Sequence, residues 1–332
     1  MPAVRRVLVA LKETRGSAGA VVRKAAQVAS AYGASLELFH ALSEPIVLDL
    51  MDGAKSLQAL EQLYRDRVLR RLEHIARTVR ARHRGLKVTV SAEWDAPAYE
   101  AIIRRGIKLK ADLIVASSHA GPHLLPGLMR LTDWELVRLS PVPLLLVRSA
   151  RPYRRPAVLV AVDPSHAFSK PLKLDQSLLQ EGASISRSLR GTLHAVHAFA
   201  RVPGGAIPPG AMAVSERSLQ QIETQAKQGA KAGFERALGG AVKPGNRYLI
   251  ARHPVDAILQ ASRKCHSAIV VMGAVSRSGF KRLLIGNTAE TILDELRCDA
   301  LVVKPKSFRT RVPRSMQGPR LLATPAPWPG GY

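Results

Sequence analysis

Two cysteines in 332 residues, Cys265 and Cys298, are too few for a disulfide framework or a thiolate metal set. They are expected to be buried small hydrophobes. Aromatic residues make up 5% of the chain, so the core must be built from Leu, Ile, Val and Ala. The interleaved aromatics of a base-stacking platform are missing as well, which argues against a dedicated single-strand binder. No apolar run approaches the roughly 20 residues that a membrane span requires. The first ten residues enter a strand pattern directly and have no signal-peptide architecture, so a soluble cytoplasmic protein is expected. Acids are also scarce, with 25 Asp and Glu against 50 Lys and Arg, a formal charge of +25. Such a field attracts polyanions. A basic bias spread over solvated helices accounts for it; nucleic-acid or membrane-surface contact through phosphate attraction is the alternative.

What the chain does contain is a copy of itself. Val7-Leu-Val-Ala-Leu-Lys12 is answered by Val158-Leu-Val-Ala-Val-Asp163, and Leu36-Glu-Leu-Phe-His-Ala41 by Leu193-His-Ala-Val-His-Ala198. Pro97-Ala-Tyr-Glu-Ala-Ile-Ile103 resembles Pro254-Val-Asp-Ala-Ile-Leu259. Ala111-Asp-Leu-Ile-Val115 corresponds to Ser267-Ala-Ile-Val-Val271, and Ser140-Pro-Val-Pro-Leu-Leu-Leu-Val147 to Arg297-Cys-Asp-Ala-Leu-Val-Val303. A domain-sized period means a tandem duplication, not a solenoid. Domains are expected over 1–150 and 151–305, joined by a short basic linker at 149–157. A basic, proline-rich tail over 306–332, without a single acid, is expected to be disordered.

Each half alternates short β-branched runs with helical patterns. In the first half, strands are predicted at 4–11, 35–41, 87–93, 112–117 and 143–148. Helices are predicted near 17–33, 55–84, 97–109 and 131–139; within 55–84, Leu60, Leu63, Tyr64, Val68, Leu72, Ile75, Ala76 and Val79 recur at helical spacing. In the second half, 201–215 reads as a loop before a helix near 215–238. The alternation predicts an α/β fold of two tandem open parallel sheets, Rossmann-like, with right-handed crossovers. Ligands of such sheets sit beyond the carboxyl ends of the strands, at the switch point where the Asp163 and Gly273 loops would meet.

The chemistry-bearing stretch is Ala268-Ile-Val-Val-Met-Gly-Ala-Val-Ser-Arg-Ser-Gly279 with Lys281-Arg-Leu-Leu-Ile-Gly-Asn-Thr288. It reads as a buried strand, a glycine loop, then a second glycine where a helix begins. Glycine admits close backbone approach, and a helix N-terminus offers unpaired N–H groups and a positive dipole end to phosphates. Gly273-x2-Ser276-x9-Gly286-Asn287 resembles the Gly-x2-Gly-x9-Gly-Ser/Thr loop of universal stress proteins. Val271-Met272, the trailing Arg297-Cys-Asp-Ala-Leu-Val-Val-Lys-Pro305, and Asp163 at the end of a first strand are similar to that family too. The tandem layout, Gly286-Asn-Thr-Ala-Glu290 and Leu131-Thr-Asp-Trp134 together resemble the universal stress protein E subgroup. The resemblance covers residues 4–305 and implies the adenine nucleotide alpha hydrolase-like fold.

On that resemblance the ligand is ATP or another adenine nucleotide. Asp163 would meet the adenosine end, and Met272 and Gly273 would line the adenine and ribose side. The loop through Ser276 and Gly279 would follow the phosphates, with Gly286, Asn287 and Thr288 donating to them. Ser276 adds a Cβ where the family has its second glycine. Asn287 replaces the family's hydroxyl residue, with Thr288 beside it as a substitute. The same residues could instead merely shape a strand-loop-helix junction. In the first half Lys12 stands where the acid should be, Ser117 where Gly273 should be, Ala120 opposite Ser276, Arg130 opposite Gly286 and Leu131 opposite Asn287. That half is expected to have lost nucleotide binding and to serve packing, pairing with the second domain, or another ligand.

Other chemistry finds little support in the sequence. No Gly-x-Gly-x-x-Gly follows the first strand, and no Gly-x4-Gly-Lys-Ser/Thr exists. No Ser–His–Asp grouping or carboxylate pair is brought together by spacing. His119 and His123 share a stretch with Gly121 and Pro122 and lack further ligands for a metal. His40 and His197 occupy equivalent strand ends, which suggests architecture, not catalysis. Lys281 and Arg282 could approach phosphates or simply be solvated. The expectation is a non-catalytic stress-response protein that pairs its domains within one chain or as a homodimer. The alternative is a nucleic-acid binder acting through its basic surface and tail.

Overall fold

The computed structural model describes residues 4–14, 19–43, 46–48, 57–118, 130–164, 174–199, 216–274, 287–318 and 321–323. The chain divides into two compact units, one of residues 153–308 and one of residues 2–152 together with 309–332.

In the first domain the elements are β1 (Arg6–Ala10), α1 (Ala20–Tyr32), β2 (Ser35–Leu42), β3 (Ile46–Leu48), α2 (Leu57–Arg82), β4 (Val88–Trp94), α3 (Ala98–Leu109), β5 (Leu113–Ser117), α4 (Arg130–Leu139) and β6 (Leu144–Val147). Its sheet runs β4-β2-β1-β5-β6 with parallel neighbours. The second domain has β7 (Ala157–Ala161), α5 (Leu174–Ser188), β8 (Thr192–Ala198), α6 (Glu216–Leu238), β9 (Arg247–Ile250), α7 (Pro254–Lys264), β10 (Ile269–Gly273), α8 (Asn287–Glu295) and β11 (Asp299–Val303). Its order, β9-β8-β7-β10-β11, repeats the first strand for strand, again in parallel. The order reverses between β1 and β5, and between β7 and β10, so each domain has its switch point there.

The strands form because short runs of β-branched and aliphatic residues are buried on both faces, as parallel sheets require. Val7, Leu8 and Val9 in β1 and Val158, Leu159 and Val160 in β7 are all at 0% exposure. Helix α2 buries Val68, Leu72, Ile75, Ala76 and Val79, each three or four residues from a neighbour on the stripe. The stripe does not extend to its first turns, where Leu63 and Tyr64 are exposed at 43% and 45%. There Tyr64 packs edge-on to Trp94, whose indole donates to Glu61 O at 3.1 Å.

Helix α5 is held against β7 and β10 by a small residue at its centre. A Cβ on Gly182 would lie 2.3 Å from Val160 Cγ2. Gly182→Val therefore pushes the helix off the sheet, and the expected cost is about 1–3 kcal/mol, read as a lower urea midpoint with unchanged slope.

The structure departs from one sequence expectation. The tail was expected to be disordered from residue 306, yet residues 306–318 have a defined path and those from Arg309 onward group with the first domain. A further strand, β12 (Leu321–Ala323), pairs in parallel with β3. The reason is a burial that composition does not reveal: Val312 is 8% exposed, and Pro313 O and the Gln317 N–H are bonded to the first domain. The basic linker is anchored as well. Tyr153 is 4% exposed and donates its hydroxyl to Asp299 Oδ2 at 2.5 Å. Burial and the neighbouring carboxylate push this phenol well above the usual tyrosine range.

Candidate nucleotide site of the second domain

Val162 and Asp163 continue the chain past β7, with the Val162 N–H bonded to Val196 O. Asp163 is 7% exposed, and its backbone N–H donates to Asp175 Oδ2 at 3.1 Å. Asp175 lies in the first turn of α5 and is 6% exposed. A carboxylate at a helix N-terminus is favoured by the helix dipole, and here it also fixes the backbone of the Asp163 loop. Sequence spacing suggested no carboxylate pairing; the crossover through α5 returns Asp175 to the end of β7. An acid in the first turn of a helix that follows a strand-end acid was the available signal.

Gly273 closes β10, the strand beside β7. The expected use of this glycine is close backbone approach to a ligand. The structure adds a second use: a Cβ here would lie 2.8 Å from Leu174 Cδ2 and 3.8 Å from Leu178 Cδ1. The glycine thus lets the start of α5 pack against the strand end, which sets where Asp175 sits. Met272 is 3% exposed within the sheet, opposite Val302 of β11. Asn287 opens α8, and Thr288 in its first turn is half-buried. Ser276, Gly279, Gly286, Lys281 and Arg282 lie outside the described residues, as do His119, Ala120 and His123.

A cation stands behind these strand ends. Lys304 follows β11, donates to Ala274 O, and holds its ammonium 5.0 Å from the Phe308 ring. Burial lowers its pKa from 10.5 to about 8. An unfolded chain keeps this proton at pH values where the folded chain has released it. The penalty of burying the charge is therefore fully present below about pH 8 and relieved as pH rises toward 10.5. The stability of the native chain relative to Lys304→Met is expected to rise across that window. Urea midpoints of the two chains running parallel from pH 7 to 10.5 would contradict this.

The corresponding place in the first domain carries a charge pair of its own. Lys12, just past β1, pairs with Asp133 of α4 at 2.7 Å. The repeated histidines do the same structural work in both halves. His40 Nδ1 meets Leu11 O at 2.8 Å, and His197 Nδ1 meets Val162 O at 3.3 Å. A carbonyl partner requires Nδ1 to carry the proton, so each ring ties the end of one strand to its neighbour. Cys265 and Cys298 flank the Ser262–Ser267 hydroxyl pair, and burial raises both thiols. Among the described residues, no three His, Cys, Asp or Glu side chains are grouped so as to hold a metal ion. None of the described helices is long and apolar enough to cross a membrane.

The sequence profile of the Universal stress protein family matches residues 3–148 and, a second time, residues 155–304. The chain belongs to the universal stress protein family. Universal stress protein E of Escherichia coli K12 is 26% identical to it over 232 residues, 69% of this chain and 72% of that protein. The universal stress protein E homolog of Haemophilus influenzae is 25% identical over 226 residues, 64% of this chain and 68% of that one. A solved protein of unknown function from Pseudomonas aeruginosa PAO1 is similar in fold, with a TM-score of 0.66 at 22% identity, covering 92% and 94% of the two chains. A universal stress protein from Archaeoglobus fulgidus reaches 0.55 at 15% identity, covering 90% and 98%. Both universal stress domains of this chain thus have their sheets and helices in place, and their strand ends have diverged: a backbone N–H held by a helix carboxylate in the second, a lysine–aspartate pair in the first.

Proposed function

We propose that this tandem universal stress protein acts in the stress response as a non-catalytic nucleotide receptor, with one adenine-nucleotide site in its second domain. The observation that carries this reading is the backbone of Asp163, held by Asp175 at the switch point where β7 and β10 end side by side. A fixed carboxylate suits ribose hydroxyls, which donate hydrogen bonds, and a helix start suits phosphates, which accept them. The Lys12–Asp133 pair supports a single site, because in the first domain the equivalent space already satisfies its own charge. Pairing of domains, within the chain or between two chains, belongs to the same proposal and is read from the mass in solution.

Calorimetry of the full chain with ATP, AMP and GTP tests it. Heat with the adenine nucleotides at one site per chain is expected, with weaker heat from GTP. No heat from any nucleotide, together with none co-purified, would sink the reading. Gly273 is a poor place for a blocking substitution, because any side chain there strikes Leu174 first. The nucleic-acid alternative lacks comparable geometry, and the tail segment it relies on is bonded to the first domain. Salt separates the two, since polyanion binding falls steeply with ionic strength and pocket binding falls less.

A further inference from the structure

Residues 309–318 fill a notch that the first domain has and the second domain lacks. Asp95 follows β4 and is 0% exposed; Arg104, on the buried face of α3, donates through Nε to Asp95 Oδ2 at 2.7 Å and through Nη1 to Glu100 Oε2 at 2.9 Å. Counted from the helix N-caps Pro97 and His253, the second domain has Ala251 and Gln260 at these two places. The Asp95–Arg104 pair is not self-sufficient. Its remaining capacity goes to the main chain of the C-terminal segment: Asp95 Oδ1 accepts the Gln317 N–H at 3.0 Å, and Arg104 Nη1 reaches Pro313 O at 3.1 Å. Gln317 Nε2 adds a contact of 3.5 Å to Glu100 Oε2. Just before the first of these anchors Val312 is buried, and beyond them β12 extends the contact along β3. Arg104 Nη2 is buried and has no acceptor among the described residues.

Two backbone anchors, one apolar side chain and a strand ladder are the means by which proteins hold extended peptides. We propose that the Asp95–Glu100–Arg104 notch is a peptide-docking site of the first domain, occupied in cis by residues 309–318 with β12 following along β3, and that it takes the same segment of a second copy of the chain when the cis contact opens. Charge favours this occupant, since the described part, residues 309–318, carries Arg309, Arg311 and Arg314 and no acid, while Asp95 and Glu100 outnumber the Arg104 that pairs with them and leave the notch net negative. Covalent linkage holds the cis segment at an effective concentration on the order of millimolar. A free peptide is therefore excluded until that segment is weakened.

The test is fluorescence anisotropy with a labelled synthetic peptide of residues 309–323 and two full-length chains, native and Gln317→Pro. Proline at 317 removes the N–H that Asp95 accepts and leaves the notch intact. The peptide is expected to bind the Gln317→Pro chain at least about tenfold more tightly than the native chain. N-methylation of the peptide at its Gln317 nitrogen should cost about tenfold of that affinity, the worth of one hydrogen bond to a charged group. Equal binding to both chains, or an N-methyl peptide that binds as well as its parent, overturns the proposal. Should Gln317→Pro fail to fold, hydrogen exchange on the native chain decides. The amides of Val312 and Gln317 are expected to be protected and to lose protection when millimolar peptide is added. Free exchange at both without peptide, or protection that excess peptide leaves unchanged, overturns it as well.

Discussion

Arg104→Met is expected to lower folding stability by about 3–5 kcal/mol, the cost of leaving a buried charge without its counter-ion. Asp95 is the residue left behind, at 0% exposure with its Oδ2 no longer bonded to the guanidinium. Removing both charges, Asp95→Leu with Arg104→Met, is expected to recover most of the loss, because a buried pair replaced by apolar groups is often close to neutral. Recovery stays incomplete here. The Gln317 N–H and Pro313 O lose their partners, at about 1 kcal/mol each. Urea denaturation of the native, single and double variants reads all of this. A single variant within about 1 kcal/mol of the native chain would mean that the pair is reached by water in solution and the tail does not seal it.

The second large effect concerns the ligand. Asp163→Ala is expected to weaken adenine-nucleotide binding roughly 10- to 100-fold, which corresponds to about 1.5–3 kcal/mol for a hydrogen bond to a charged group. The loop around it should hold its shape. What ties it to α5 is the backbone N–H of residue 163 on Asp175, and alanine keeps that N–H. Lys12→Ala should leave the affinity within about twofold, since Lys12 is paired with Asp133 in the other domain. Calorimetry of the three chains checks both statements. Equal affinities for Asp163→Ala and the native chain would place the nucleotide elsewhere; loss of affinity in Lys12→Ala would place it in the first domain.

The sequence was most legible where a feature is local and periodic. The alternating strands and helices sit within one to three residues of the expected bounds in the first domain, because burial on both faces of a parallel sheet writes itself as short aliphatic runs. The duplicated segments correspond to strands in equivalent places of two sheets with the same order. Strand β3 was missed because three residues carry no period to detect, and β12 because a proline-rich basic stretch has the composition of a free tail.

The candidate site was half legible. The places of Asp163 and Gly273 at strand ends were legible from the aliphatic runs before them, and their expected roles from the family resemblance. Asp175 was not, since an acid in the first turn of the next helix is only a weak signal and the sequence does not say that this turn returns to the same strand end. Gly273 shows the same limit from the other side: the sequence marks the need for a missing side chain, and the packing identifies Leu174 as one neighbour that requires it.

Repeat, fold class, family and the unequal fate of the two strand-end motifs could all be read along the chain, because each depends on residue type and short spacing. The contacts that give those motifs their meaning could not. Lys12 with Asp133, Asp163 with Asp175, and Gln317 with Asp95 across 222 residues depend on where crossovers and a returning tail bring the backbone. Burial and hydrogen-bond partners are properties of that return path, and no period in the sequence encodes it.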